Sequence, residues 1–182
     1  EETTVSKTIH SLLNLDYPKD KLKIMVVDDG STDSTWTTVQ KFANNPQIEL
    51  HTKENGGKHT ALNYGISKLT TDLVGCLDAD SYVHKDSMRK VALYFENKET
   101  MAVAPSIVLW KPTSVLQLLQ KVEYSFGIFT RKLYHHMNAI YITPGPFSIF
   151  RKEVFENLGP YKHAHQCEDI EVALRMQKNG YK

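Results

Sequence analysis

Leu73-Val74-Gly75-Cys76-Leu77-Asp78-Ala79-Asp80-Ser81 is an apolar run that stops at two carboxylates one residue apart. Residues 73–77 are apolar or Gly, which suits a strand buried on both faces, as in the parallel sheet of an α/β protein. Sheets of that kind bind ligands beyond strand carboxyl ends. Asp78 and Asp80 fall there, and on extended backbone a period of two points both side chains the same way. They would then offer two hard oxygen donors to one cation, Mg²⁺ or Mn²⁺ carrying a phosphate. The same residues also fit a plain turn after a strand, where Asp is common.

A second acidic pair, Asp28-Asp29, ends another apolar run, Leu22 to Val27. Four acids gathered at one sheet edge would repel one another, so the pattern is best explained by a cation and a polar ligand between them. Asp29-Gly30-Ser31-Thr32-Asp33-Ser34 reads as a tight turn, with Thr32, Asp33 or Ser34 available to cap the next helix. A nucleotide over this turn and an ordinary strand-to-helix turn are both open readings.

At 182 residues and 41% hydrophobic composition the chain is one domain in size. Lys+Arg 22 against Asp+Glu 21 gives a net charge of +1, with no long basic block, so there is no electrostatic case for nucleic acid as partner. Cys76 and Cys167 suggest free thiols in a reducing compartment, at a spacing that excludes a zinc knuckle. No apolar segment approaches the ~20 residues that cross a bilayer.

Along the chain, helical spacing covers residues 2–14, strands are expected at 22–28, 48–51, 73–77 and 101–105, and helices fall between them. That alternation predicts a doubly wound sheet. Asn55-Gly56-Gly57-Lys58 is a loop that allows close ligand approach and places a cation near a helix start, suited to a phosphate or nucleotide. Residues 113–134 carry a long helical pattern. Its aromatic and basic band, including Tyr124, Phe126, Arg131 and Lys132, would fit a membrane interface, although packing against the domain is the favoured expectation. Pro144-Gly145-Pro146 is a rigid bend whose backbone a ligand could approach. Glu168 and Asp169 open the last helix, where they either balance its dipole or include a catalytic base.

In order and separation, Val26-Val27-Asp28-Asp29-Gly30-Ser31-Thr32-Asp33, Asp78-Ala79-Asp80, the stretch from Pro144 to Arg151 and Glu168-Asp169 resemble glycosyltransferase family 2. The likeness is strongest to its membrane-associated processive branch of poly-N-acetylglucosamine, hyaluronan and cellulose synthases. It implies an α/β GT-A fold, Rossmann-like, with a mostly parallel sheet flanked by helices. One catalytic domain would span 1–182, with 1–110 as nucleotide-sugar-binding half and 111–182 as acceptor and catalytic-base half. The implied activity is inverting transfer from a nucleotide-diphospho-sugar, UDP-linked, to a hydroxyl of a glycan or lipid-linked acceptor. Mg²⁺ or Mn²⁺ would bridge protein and diphosphate.

By matching positions, the resemblance gives Asp28 and Asp29 to the nucleotide-sugar site, with Asp29 on the uracil or ribose. Lys58 would meet the nucleotide, Asp78 the ribose or metal, and Asp80 the metal. Asp169 would be the base, supported by Glu168, and Pro144, Gly145, Pro146 and Phe147 would line the acceptor side. Family members normally open with one further strand. Here the first strand is expected to be missing and the chain truncated at both ends, with weak donor binding and little turnover. Membrane attachment is expected through segments outside it, with the site on the cytoplasmic face of the cell membrane. A nucleotidyltransferase-like domain and a catalytically silent binding domain are the competing readings. A receiver-type signalling module would leave residues 144–146 and 168–169 without a role.

Overall fold

Helical spacing at the start of the chain does form a helix, α1 (Val5–Leu13), which turns Val5 and Ile9 inward. Strand β1 (Ile24–Asp28) follows, then α2 (Thr35–Gln40) and β2 (Ile48–Thr52). The two strands pair in parallel, Ile24 opposite Ile48 and Asp28 opposite Thr52. Between them α2 drives Val39 into a cluster with Val5, Ile9, Ile24 and Ile48. Of the three capping candidates Ser34 takes the N-cap position without a side-chain capping bond, and Asp33 before it accepts the Thr35 N–H on its Oδ1 at 3.0 Å.

The computed structural model describes residues 1–163 and 167–181. Beyond β2 the order is α3 (Lys58–Lys68), β3 (Leu73–Cys76), α4 (Ser87–Tyr94), β4 (Ala102–Val103), α5 (Val115–His136), β5 (Ser148–Arg151), α6 (Glu153–Leu158) and α7 (Glu168–Lys178). Strand β5 lies between β3 and β4 and runs antiparallel to both, so β3 and β4 share a direction. Alternation along β5 divides its side chains between two clusters. Phe150 joins Val74, Val154, Phe155, Tyr161, Val172 and Met176. Ile149 joins Leu15, Met88, Val91, Phe95 and Phe147.

The architecture is the expected mixed α/β arrangement, with three differences from the reading of the sequence. First, the sheet comes in two pieces, β1-β2 and β3-β5-β4. The described ladders leave one edge of β1 and one edge of β3 unpaired, and β3 is bonded to a reversed neighbour. Second, β3 is not buried on both faces: Val74 is buried but Gly75 is exposed. Gly75 stands opposite Ile149, whose Cδ1 would lie 2.3 Å from a β-carbon there, so the side chain of β5 fills the space that β3 leaves. Third, α5 does not pack into the domain. None of its 22 residues is buried, because its apolar stripe lies on the side away from the sheet. Its start is nonetheless well specified by a reciprocal capping box between Ser114 and Gln117.

No described helix is long and apolar enough to cross a membrane. The sheet β3-β5-β4 also joins residues on both sides of position 110, so the two halves read from the sequence share one core.

Candidate active site

Both acidic pairs sit at the ends of their strands, but their members do different things. Asp28, at the end of β1, is buried; its Oδ2 accepts the Ser31 N–H at 3.2 Å and the Thr52 hydroxyl at 3.3 Å, while its buried Oδ1 has no protein partner. Asp29 reaches across to the loop after β2. It accepts the backbone N–H groups of Gly56 at 3.1 Å and Gly57 at 2.8 Å, and the Lys53 ammonium lies 2.5 Å from its Oδ1. Burial pushes the Asp29 carboxyl up, but Lys53 and the two N–H groups outweigh it and hold the group below the usual range. Gly30 permits this joint. Its φ is +74° and a β-carbon there would stand 2.9 Å from the Asn55 backbone nitrogen.

Lys53 is a site residue that the sequence reading missed. Besides Asp29 it donates to the Glu54 carbonyl at 2.5 Å and the Thr60 hydroxyl at 2.9 Å, and so fastens the glycine loop to α3. A lysine just after a strand carries no signal by itself. Only its partner 24 residues earlier gives it meaning.

Asp78 and Asp80 lie beyond β3 in a turn closed by the Ser81 N–H to the Asp78 carbonyl at 3.0 Å, not on extended backbone. The Thr8 hydroxyl of α1 donates to the Ala79 carbonyl at 2.8 Å and anchors that turn. This anchor, too, was not read from the sequence. Asp78 Oδ1 lies 2.6 Å from Lys58 Nζ. Asp80 is exposed, its Oδ1 accepting only from its neighbour Ser81 at 3.2 Å among the described hydrogen bonds.

Residues 144–147 complete the cluster. The Gly145 N–H donates to Asp169 Oδ2 at 2.8 Å. A β-carbon at Gly145 would stand 3.1 Å from that oxygen, 3.1 Å from Lys58 Nζ and 3.2 Å from Asp78 Oδ2, so these three groups converge where only glycine fits. The backbone of Asp169 is fixed as well, its carbonyl accepting the Thr143 hydroxyl at 3.1 Å. Phe147 has φ +63° and buries its ring against Leu15, Met88 and Val91, while its N–H donates to the Cys76 carbonyl at 2.6 Å. Such a conformation costs about 1–3 kcal/mol in a non-glycine residue and persists where packing enforces it. Pro144 accepts the Ser148 hydroxyl through its carbonyl at 2.5 Å, and Pro146 is half-buried beside it.

Electrostatics divide the roles further. Burial pushes the Asp169 carboxyl up; Lys58 and the Gly145 N–H pull it down, Asp78 and Glu168 push it up again, and the net is a raised pKa. Lys58 is pulled down by burial but held above its ordinary value by Asp78, Asp169 and Glu168. Glu168 adjoins Asp169 in the first turn of α7. Burial pushes the Cys76 thiol, next to this cluster, up to about 11, which keeps it a neutral thiol rather than a nucleophile.

A half-buried carboxylate of raised pKa facing a lysine and two further acids can accept a proton beside a polyanionic ligand. Among the described residues no three His, Cys, Asp or Glu side chains are grouped to hold a metal ion by themselves. The donor set nevertheless fits a hard divalent cation of the kind that takes one or two carboxylates and completes its shell with ligand phosphate oxygens. Asp80, exposed and weakly engaged, and the Oδ2 of Asp78 are the available protein donors.

The fold, a mixed sheet with one reversed strand flanked by helices, is that of the GT-A glycosyltransferases. A mannosyltransferase from Pyrobaculum calidifontis, solved in complex with GDP-Man and Mn2+, superposes with TM-score 0.76 at 22% identity over 100% of this chain and 50% of that one. S. aureus TarS 1-349 in complex with UDP-GlcNAc superposes with TM-score 0.71 at 20% identity over 96% of this chain and 49% of that one. The chain belongs to glycosyl transferase family 2, whose family model matches residues 1–159. It is 31% identical to the poly-beta-1,6-N-acetyl-D-glucosamine synthase of Staphylococcus aureus (strain COL) over its whole length, and spans 44% of that protein.

Proposed function

We propose that the protein is an inverting glycosyltransferase that moves a sugar from a nucleotide-diphospho-sugar to an acceptor hydroxyl in polysaccharide synthesis. UDP-N-acetylglucosamine is the donor to which the relatives point. The observation that carries the reading is the convergence of Asp78, Lys58 and Asp169 around Gly145.

In this reading the surface made by Asp28, Asp29 and residues 55–57 receives the uridine. The unpartnered Oδ1 of Asp28 is an acceptor for a ligand N–H or hydroxyl. Asp29 acts chiefly by holding the glycine loop in place. Lys58 is set to exchange its bond to Asp78 for the donor diphosphate. Asp78 and Asp80 would hold Mg²⁺ or Mn²⁺, which when bound supplies charge neutralisation to the diphosphate.

Asp169 takes the proton of the acceptor hydroxyl as that oxygen forms a bond to the anomeric carbon and the bond from that carbon to the diphosphate oxygen breaks. The nucleoside diphosphate leaves with the bonding electrons, and a single displacement inverts the anomeric centre. The Gly145 N–H holds one Asp169 oxygen, which fixes the other toward the acceptor. Glu168 supports this carboxylate by keeping its pKa up. Residues 1–110 carry the donor side and residues 111–182 the acceptor side, with Pro144 to Phe147 as the wall between them. The complete protein would work at the cytoplasmic face of a membrane on a growing glycan.

The reading is tested by incubating the protein with UDP-N-acetylglucosamine, Mn²⁺ and an oligosaccharide acceptor, and following UDP release together with sugar transfer. Substituting Asp169→Asn should lower transfer by roughly 10²–10⁴-fold, the range of a lost general base, with donor affinity unchanged. Undiminished transfer would remove Asp169 from the role of base.

A further inference from the structure

An amphipathic helix whose apolar stripe faces away from its own domain requires a partner surface. On α5, Val115, Leu119, Val122, Phe126, Phe129 and Leu133 recur at alternating spacings of four and three residues, and each is 50–77% exposed. At about 100° per residue they form a single stripe. The partly buried Tyr124, Ile128 and Arg131 lie on the opposite side, toward the domain. Lys121 and Lys132 lie together on one side of the stripe, about 100–120° round the helix from its centre, and Glu123 on the other; between Lys111 and His136 there are four basic residues, Lys111, Lys121, Arg131 and Lys132, and the single acid Glu123. Trp110, 71% exposed, precedes the helix. Tyr134 in its last turn and Tyr141 beyond it meet edge to face at 5.4 Å.

We propose that α5 lies flat on an anionic membrane surface, with its stripe at the acyl boundary and Lys121 and Lys132 reaching the headgroup phosphates. Charge complementarity selects this occupant over a second copy of the chain. The positions flanking a seam between two copies include only Glu123 and Lys132 as charged residues, too few to set interhelical ion pairs. The excess of basic residues is instead what draws a helix to anionic lipid. The aromatic side chains at the two ends of the helix suit the headgroup level. Six residues after α5 the chain enters Thr143 and Pro144, so this docking holds the acceptor side of the site beside the bilayer. The inference stands on α5 alone and does not require the transferase reading.

Cosedimentation of the 182-residue chain with vesicles tests it, comparing phosphatidylcholine alone with an equal mixture of phosphatidylcholine and phosphatidylglycerol. Binding to the mixed vesicles, weakened by added salt and absent from phosphatidylcholine alone, is the expected result. Substituting Phe126→Glu with Phe129→Glu should reduce binding roughly tenfold or more for each ring withdrawn from the interface. Lys121→Glu with Lys132→Glu should reduce it roughly fivefold for each lysine. All four side chains are exposed, so circular dichroism should be unchanged by either pair. Failure of the folded chain to sediment would overturn the proposal, as would undiminished sedimentation of the phenylalanine variant. Self-association in solution that the phenylalanine variant abolishes, without vesicle binding, would assign the stripe to a second copy instead.

Discussion

The ammonium of Lys58 lies 2.6 Å from Asp78 Oδ1 and would be 3.1 Å from a β-carbon at Gly145, the residue whose N–H holds Asp169. One lysine thus links the acid expected to serve the donor with the acid expected to serve the acceptor. In the absence of ligand it offsets the repulsion of the carboxylates around it. A diphosphate that displaces Asp78 from Lys58 frees that carboxylate as it arrives.

Lys58→Met should therefore weaken UDP binding by about 1.5–3 kcal/mol, the worth of a hydrogen bond to a charged group. It should also raise the Asp169 pKa further, because Lys58 pulls that carboxyl down. The rising limb of the pH profile for transfer should move to higher pH. A loss of affinity with an unmoved profile would separate Lys58 from Asp169.

Asp169 carries a stability cost whose pH dependence has a definite sign. Its folded pKa is raised above the unfolded value, first by burial, so the folded state favours the protonated form. The penalty is absent below the ordinary carboxylate range, appears as pH rises through the unfolded and then the folded pKa, and is complete above both. Asp169→Asn should raise the melting temperature at neutral pH and lose that advantage in acid. Thermal denaturation across pH measures it; a variant less stable than the parent at neutral pH would contradict the raised pKa.

Gly30→Ala should act on the glycine loop. Positive φ and a 2.9 Å approach to the Asn55 nitrogen make the substitution cost about 1–3 kcal/mol, and the displaced loop should lose the Asp29 bonds to Gly56 and Gly57. Reduced UDP affinity together with a lower denaturation midpoint is the expected outcome. Unchanged values of both would show that Asp29 does not depend on this turn.

Much of this was legible in the sequence because the relevant signals are local. Apolar runs ending in acids found β1 and β3, and helical spacing found α1, α4, α5 and α7. What stayed hidden depended on direction and on distant partners. Asp28 and Asp29 look alike in the chain, yet one is buried under its own turn and the other clasps a loop 27 residues away. Periodicity revealed the stripe on α5 but could not say that it faces outward. The reversal of β5 follows from how the long segment after β4 returns to the sheet, which no residue of β3 encodes. Lys53 and Thr8 were invisible for the same reason, each meeting its partner only after folding.

The most direct measurement of the central claim is calorimetric titration of the folded chain with UDP, with and without Mn²⁺, for the parent and for Asp80→Ala. Saturable binding that needs the cation, and that Asp80→Ala weakens only when Mn²⁺ is present, is the result expected if Asp28, Asp29, Lys58, Asp78 and Asp80 form a metal-assisted nucleotide site. Equal affinity with and without Mn²⁺, or no effect of Asp80→Ala, would contradict it.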